Sequence, residues 1–311
     1  MKTTIDWLTF RCRNDPFEVL EALRPAFGTA ADLLTFLPGL PGKDGWLQAG
    51  EWMMGGDISM GRIDYAGGES QRGWNRVVLT GEGCAWVQNW LIIAKLADGL
   101  RETGVRRLDI CLTTYGGEIT HDKVAAAYTA GMFAMSEGGR PPVSRTITSS
   151  DPRAGKTIYV GQREYAKFFR AYEKGFEMLK NVAGRDRVTH IGGDKVDEIY
   201  RCEVEFKAVD KHIPWSAVLD RDSYFAGAYP FCALAIGYAH KGAKMATLPQ
   251  FKPVATLDTA LENCRVSYGA ILRTALAALD GDHAALMQRV IGITHSDALV
   301  RAGVLTVEHP T

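Results

Sequence analysis

The chain has 311 residues, 46% of them hydrophobic, with 36 Lys plus Arg against 36 Asp plus Glu and a formal net charge of zero. That composition suits one large or two small folded domains and excludes wholesale disorder. Balanced charge confers no general affinity for nucleic acid, so any such affinity has to come from local patches.

In chain order, residues 4–11 (TIDWLTFR) are rich in β-branched and aromatic types and predict a first strand. Asp15, Pro16 and Glu18 supply an N-cap, a first-turn proline and a capping-box acid for a helix whose apolar stripe is Phe17, Leu20, Leu23 and Phe27. Glycine-punctuated segments at 45–54, 58–65 and 73–80 predict antiparallel strands. Trp86, Trp90, Ile93, Leu96 and Leu100 recur at helical spacing and read as core packing. A strand is predicted at 106–114, then a helix from Thr120 with Val124, Ala127, Tyr128, Gly131, Met132 and Met135 on one face. Short strands are predicted at 142–149, 156–162, 167–174 and 199–207. Residues 214–239 predict helix broken near Pro230; their longest uncharged run, interrupted by Gly227, Pro230 and Gly237, reads as a buried helix and not a membrane span. Leu257, Leu261, Cys264, Tyr268, Leu272, Ala275 and Leu279 mark one long helix. The expected fold class is therefore α+β: a largely antiparallel sheet with helices packed on one face, followed by a helical C-terminal region. The expected domains are 1–245 and 250–311, joined through loop-like sequence around Lys241–Pro253.

Several chemistries are excluded or disfavoured by what the chain lacks. The six cysteines, Cys12, Cys84, Cys111, Cys202, Cys232 and Cys264, form no CxxC pair, which argues against a zinc ribbon or a disulfide framework and fits the cytoplasm. Asp6 and Arg11 interrupt the opening residues, against a signal peptide. The segment SDPRAGKT (150–157) has Ser150 where a P-loop needs glycine. The histidines never stand two apart, and GxSxG, HExxH and DxDxDG do not occur. Glu203 and Glu205, both on one strand face, are poorly placed to flank a glycosidic bond.

Alternation along three strands is more informative. Arg107, Asp109 and Cys111 share one face; Arg170, Tyr172 and Lys174 share another; Arg201, Glu203, Glu205 and Lys207 alternate with Cys202, Val204 and Phe206. In one sheet these strands present three carboxylates, several cations and a tyrosine. Hard carboxylate oxygens suit Mg²⁺ or Mn²⁺, which polarises a phosphodiester, and a phenol oxygen nearby can attack it. Arg170 and Lys174 would hold phosphate oxygens and favour the phenolate. The same alternation is also what an antiparallel sheet with an ordinary solvated face displays. Between Arg140 and Arg187 stand eleven basic and five acidic residues, interleaved with aromatics such as Tyr159, Tyr165 and Phe168, a mixture that suits single-stranded DNA.

The ordered series IDWLTF, RLDICLTTY (107–115), KTIYVGQRE (156–164), KFFRAYEKGFE (167–177) and YRCEVEFKA (200–208) resembles the replication initiation factor family of filamentous phages and rolling-circle plasmids. The likeness runs over roughly 4–235 and is weakest between 30 and 70. It implies a sheet-centred DNA-nicking domain of a bacterial host's cytoplasm, with a Mg²⁺ or Mn²⁺ site at Asp109, Glu203 and Glu205. It also implies a catalytic tyrosine, falling on Tyr172, that becomes linked to the 5′ end of the cut strand; Tyr159 and Tyr165 are rival positions. Arg107, Arg163, Lys167, Arg170, Lys174 and Arg201 are the implied DNA and phosphate contacts. Ala171 and Glu173 depart from the bulkier residue and the amide that flank this tyrosine in plasmid members. The implied partners are a single-stranded or hairpin DNA origin, a host helicase and a polymerase; the C-terminal helices are open between origin recognition, helicase recruitment and dimerisation. A conjugative relaxase of the same family and a DNA-binding regulator without nuclease activity are the alternative functions.

Overall fold

The protein is described by a computed structural model covering residues 1–134, 139–247, 257–296, 299–300 and 304. The apolar and β-branched residues of β1 (Thr4–Cys12) form a strand as expected. Helix α1 (Pro16–Leu23) opens where the Asp15 carboxylate accepts the Phe17 N–H at 2.9 Å. Its inward face is Pro16, Val19, Leu20 and Leu23. Phe17, expected in that stripe, is 57% exposed and meets Phe36 edge-on, and Glu18 accepts from the Asn14 amide instead of closing a capping box.

Strands β2 (Leu34–Pro41), β3 (Trp46–Met54), β4 (Ile58–Gly67) and β5 (Asn75–Leu79) follow as a meander. The tryptophan-bearing stretch beyond it is three short helices, α2 (Gly81–Trp86), α3 (Trp90–Ala94) and α4 (Leu96–Gly99). Thr80 and Asn89 each cap a fresh start, and the Gln88 and Asn89 N–H groups turn away to the Ala26 carbonyl, so one continuous helix is impossible. Trp86 and Trp90 pack against the core, as expected.

Next come β6 (Gly104–Thr114) and α5 (His121–Thr129), the latter capped by Thr120 and stopped before Gly131 at φ +78°. Met135, expected on that helix, lies outside the described residues. Strands β7 (Ser144–Ile147), β8 (Thr157–Val160) and β9 (Lys167–Tyr172) lead to α6 (Lys174–Met178). A small hairpin, β10 (His190–Ile191) with β11 (Asp194–Lys195), precedes β12 (Tyr200–Lys207). Strand β13 (Lys211–His212) precedes α7 (Arg221–Ala228) and α8 (Pro230–Ile236), and later pairs with β14 (Ala246–Thr247). The chain continues in α9 (Leu257–Ala278), the predicted long helix, and α10 (His283–Val290).

Ten strands form one fully antiparallel sheet in the order β2-β3-β4-β5-β1-β6-β12-β9-β8-β7. One face is apolar: Leu8, Phe10, Leu108, Ile110, Val204 and Phe169 join side chains of α1, α5, α7 and α8 in a single buried cluster. The other face carries Asp109, Glu203, Glu205 and Tyr172. The fold is thus the expected mixed α+β class. Two compact units are present, Met1–Leu248 and Pro249–Thr311. Among the described residues no helix is long and apolar enough to cross a membrane. All six cysteines are free, and all but the exposed Cys264 are buried.

Candidate active site

Strands β6, β12 and β9 lie side by side at the middle of the sheet. Glu205 is directly opposite Asp109 on β6, Glu203 is opposite Arg170 on β9, and Arg201 is opposite both Thr113 and Tyr172. Residues two apart on one strand share a face, so Tyr172 is diagonal to Glu203, within side-chain reach. Asp109, Glu203 and Glu205 are 1%, 1% and 3% exposed. Three carboxylates at that burial are no ordinary solvated sheet surface, because each has lost its hydration.

Cations replace the water. The Arg107 Nη2 atom is 2.5 Å from Asp109 and 2.9 Å from Glu205. Lys207 is 2.8 Å and Arg163 3.3 Å from Glu205, and Arg170 is 2.7 Å from Glu203. The compensation is uneven. Burial pushes the Asp109 carboxyl up to about 7, with Arg107 opposing and the neighbouring glutamates reinforcing it. Glu205 is also penalised by burial, but Lys207, Arg107 and Arg163 together hold it below the usual range. Among the described residues nothing donates a hydrogen bond to Glu203 Oε2, although it is buried.

Two β-bulges shape the edge of this group. Ile5 pairs with Ile110 and Trp7 with Asp109, leaving Asp6 as an extra residue whose carboxylate reaches Arg201 at 2.6 Å. Thr9 pairs with Arg107 and Phe10 with Val105, leaving Arg106 as the extra residue on β6. Asp6 and Arg106 were missed in the sequence: strict alternation puts both toward the core, and only the pairing register shows a bulge.

Three clefts are lined by the cations that surround these acids. One of about 630 Å³ includes Trp7, Arg107 and Lys207 in its wall; a second, about 400 Å³, includes Tyr159, Arg163 and Arg170; a third, about 770 Å³, includes Asp6, Lys174 and Arg201. Each is lined by an arginine that pairs with one of the three buried acids or with Asp6.

Tyr172 is half-buried on this face, with the Arg170 guanidinium 5.4 Å and the Lys174 ammonium 6.0 Å from its ring centroid. Burial raises its phenol well above the ordinary value; Arg201 and Arg170 pull the other way but less strongly. The expected stabilisation of the phenolate by Arg170 and Lys174 is therefore outweighed. Lys174 also leaves the predicted strand: it begins α6 and pairs with Glu177. Lys167, grouped by sequence with the phosphate contacts, is on the helix-covered face, bonded to the Ala228 carbonyl with its ammonium 3.9 Å from the Tyr229 ring centroid. Of the rival tyrosines, Tyr159 shares the open face opposite Arg170 and stacks on Phe168, whereas Tyr165 is in the loop before β9 and 61% exposed.

As to a metal, among the described residues no three His, Cys, Asp or Glu side chains converge closely enough to hold one; the counter-ions of the carboxylates are Arg107, Arg163, Arg170 and Lys207. The donor set still fits Mg²⁺ or Mn²⁺ chemically. It offers hard oxygens from adjacent strands, one of them buried and without a donor.

Residues 103–247, which contain all these strands except β1, match the model of the replication initiation factor family. No curated protein matches the chain. Among solved structures, the rolling circle replication initiator protein from Geobacillus stearothermophilus is similar at a TM-score of 0.49 and 21% identity, over 66% of this chain and 74% of that one. The family match thus falls on the strands whose motifs resemble that same family.

Proposed function

We propose that this protein initiates rolling-circle replication by nicking and rejoining one DNA strand at an origin through Tyr172. The observation that carries the reading is the set of three buried carboxylates beside a tyrosine on one face of β6, β12 and β9, inside the family-matched residues. The Tyr172 oxygen attacks the scissile phosphorus; the bond from phosphorus to the 3′-oxygen breaks as the tyrosine–phosphorus bond forms. The phenol proton passes to solvent, and the departing 3′-oxygen takes one up. The free 3′-hydroxyl then primes a host polymerase, and a second transfer closes the displaced circle. Arg107, Arg163, Arg170, Lys174 and Arg201 hold phosphate oxygens around the scissile link. Mg²⁺ or Mn²⁺, held by Asp109, Glu203 and Glu205, would polarise the phosphodiester and offset the developing charge.

The test is a supercoiled plasmid bearing the cognate origin, incubated with protein and Mg²⁺. Nicked circles carrying protein on the 5′ end are expected, and Tyr172→Phe should form no adduct. An adduct at wild-type level in that variant would remove Tyr172 from the mechanism. Glu203→Ala should weaken Mn²⁺ binding at least tenfold by calorimetry; unchanged nicking in EDTA would defeat the metal site.

A second reading, a DNA-binding regulator without nuclease activity, is favoured by the arginine-paired carboxylates and the raised phenol. Tight origin binding with no metal-dependent nicking would select it.

A further inference from the structure

One strongly basic cleft is lined mostly by residues outside the family-matched segment. The cleft of about 630 Å³ is floored by β1 and by β3 to β6, and its wall includes Lys43, Arg62, Arg76, Arg106, Arg107 and Lys207 against a single acid, Glu51. Four of these cations are committed. Arg62 and Arg76 pair with the fully buried Asp64, at 2.5 Å and 2.9 Å, and Arg107 and Lys207 pair with the carboxylates of the candidate site. Lys43 and Arg106 are different. Both are exposed, and among the described residues neither has an ion-pair partner. Lys43 stands in the turn between β2 and β3. Arg106 is the bulged residue of β6, turned out of the core alternation into the cleft.

The wall carries an indole, Trp7, as well as cations. The Arg107 guanidinium lies 5.0 Å from the centroid of the Trp7 ring, which also lines the cleft, and that of Arg76 lies 4.6 Å from the Trp46 centroid. An indole ring accepts unstacked bases, whereas a duplex keeps its bases stacked inside. Arg107 lines the cleft and also pairs with Asp109 and Glu205, so the cleft adjoins the carboxylate group.

We infer that this cleft binds the single-stranded DNA that flanks the scissile phosphate, with Lys43 and Arg106 as phosphate contacts and Trp7 as a stacking surface. The inference rests on the reading of Tyr172 and the carboxylates as the nicking centre for the word "flanks", and on the cleft alone for DNA binding. The experiment is fluorescence anisotropy with a labelled thymidine oligonucleotide of about 16 residues, without metal, in the Tyr172→Phe protein so that no cleavage intervenes. Replacing Lys43 and Arg106 together by Ala should weaken binding about tenfold at low salt. It should also reduce the slope of log K against log salt by about 1.4, or about 0.7 per lost phosphate contact. Lys43→Ala alone, in an exposed turn, should give roughly half of each effect and guards against misfolding of the double variant. Lys95→Ala with Lys195→Ala removes two exposed basic residues that do not line this cleft and should change neither. Unchanged affinity and slope in the Lys43 and Arg106 variants would overturn the inference, as would tighter binding of a hairpin duplex of equal length. Loss of binding in these variants, combined with an adduct on another tyrosine, would keep the cleft and sink the reading of Tyr172.

Discussion

Lys167 and Tyr172 stand on one strand at positions of opposite parity, so the pleat sends one to the helix side and the other to the open side. The consequence for Lys167 is electrostatic. A buried ammonium loses hydration, and its pKa falls to about 8. An unfolded lysine titrates near 10.4. Between those values the unfolded chain holds more protons than the folded one, so this group makes the protein more stable as pH rises from about 8 toward about 10.4, and costs stability below that window. Lys167→Met is expected to raise the melting midpoint at pH 7 by about 3 °C and to remove that alkaline gain, as read by calorimetry across the pH range. Nicking should be retained; its loss would return Lys167 to the DNA-binding group. The sign of the tyrosine effect was not legible in the sequence for a similar reason. Nearby arginines argue for a lowered phenol pKa, and only the packing around Tyr172 reveals that burial is the larger influence.

At the level of elements, the turn from β9 into α6 decides how Tyr172 is held. Sequence alternation carries the strand through Lys174, but the Gly175 N–H bonds to the Ile199 carbonyl, and a Cβ built at Gly175 would fall 2.0 Å from the Val196 carbonyl oxygen. That close approach forces the chain out of the strand two residues after Tyr172. Gly175→Ala is therefore expected to lower stability by about 1–3 kcal/mol and to reduce adduct formation by displacing the tyrosine. A chemical melt and the plasmid assay would check the two effects, and a wild-type midpoint would show that the backbone yields without cost. The bulges at Asp6 and Arg106 make the same point: each is an ordinary residue in a well-predicted strand, re-aimed by one extra position in the pairing.

Across the molecule, the main buried cluster is confined to Ile5–Ala235, so the sheet unit has a core of its own. A chain ending at residue 248 is expected to melt in one cooperative transition with a midpoint within a few degrees of the full protein. A broad or strongly lowered transition would show that Pro249–Thr311 is needed for folding. The helical unit exposes apolar side chains of its own, among them Leu261, Tyr268 and Ile271.

The strands, their faces and the α+β class were determined locally, because β-branched residues and strict alternation express a pleated backbone with one buried face. The polar residues of β6, β9 and β12 could be named from the sequence for that reason. Which strands are neighbours, and so which charges meet, was decided by tertiary pairing between segments as far apart as Asp6 and Arg201. The depth of burial that unsettles Asp109, the bulge that turns Arg106 outward and the cleft that Arg106 lines are products of that packing. Each depends on distances between residues remote in the chain, to which no local pattern is sensitive.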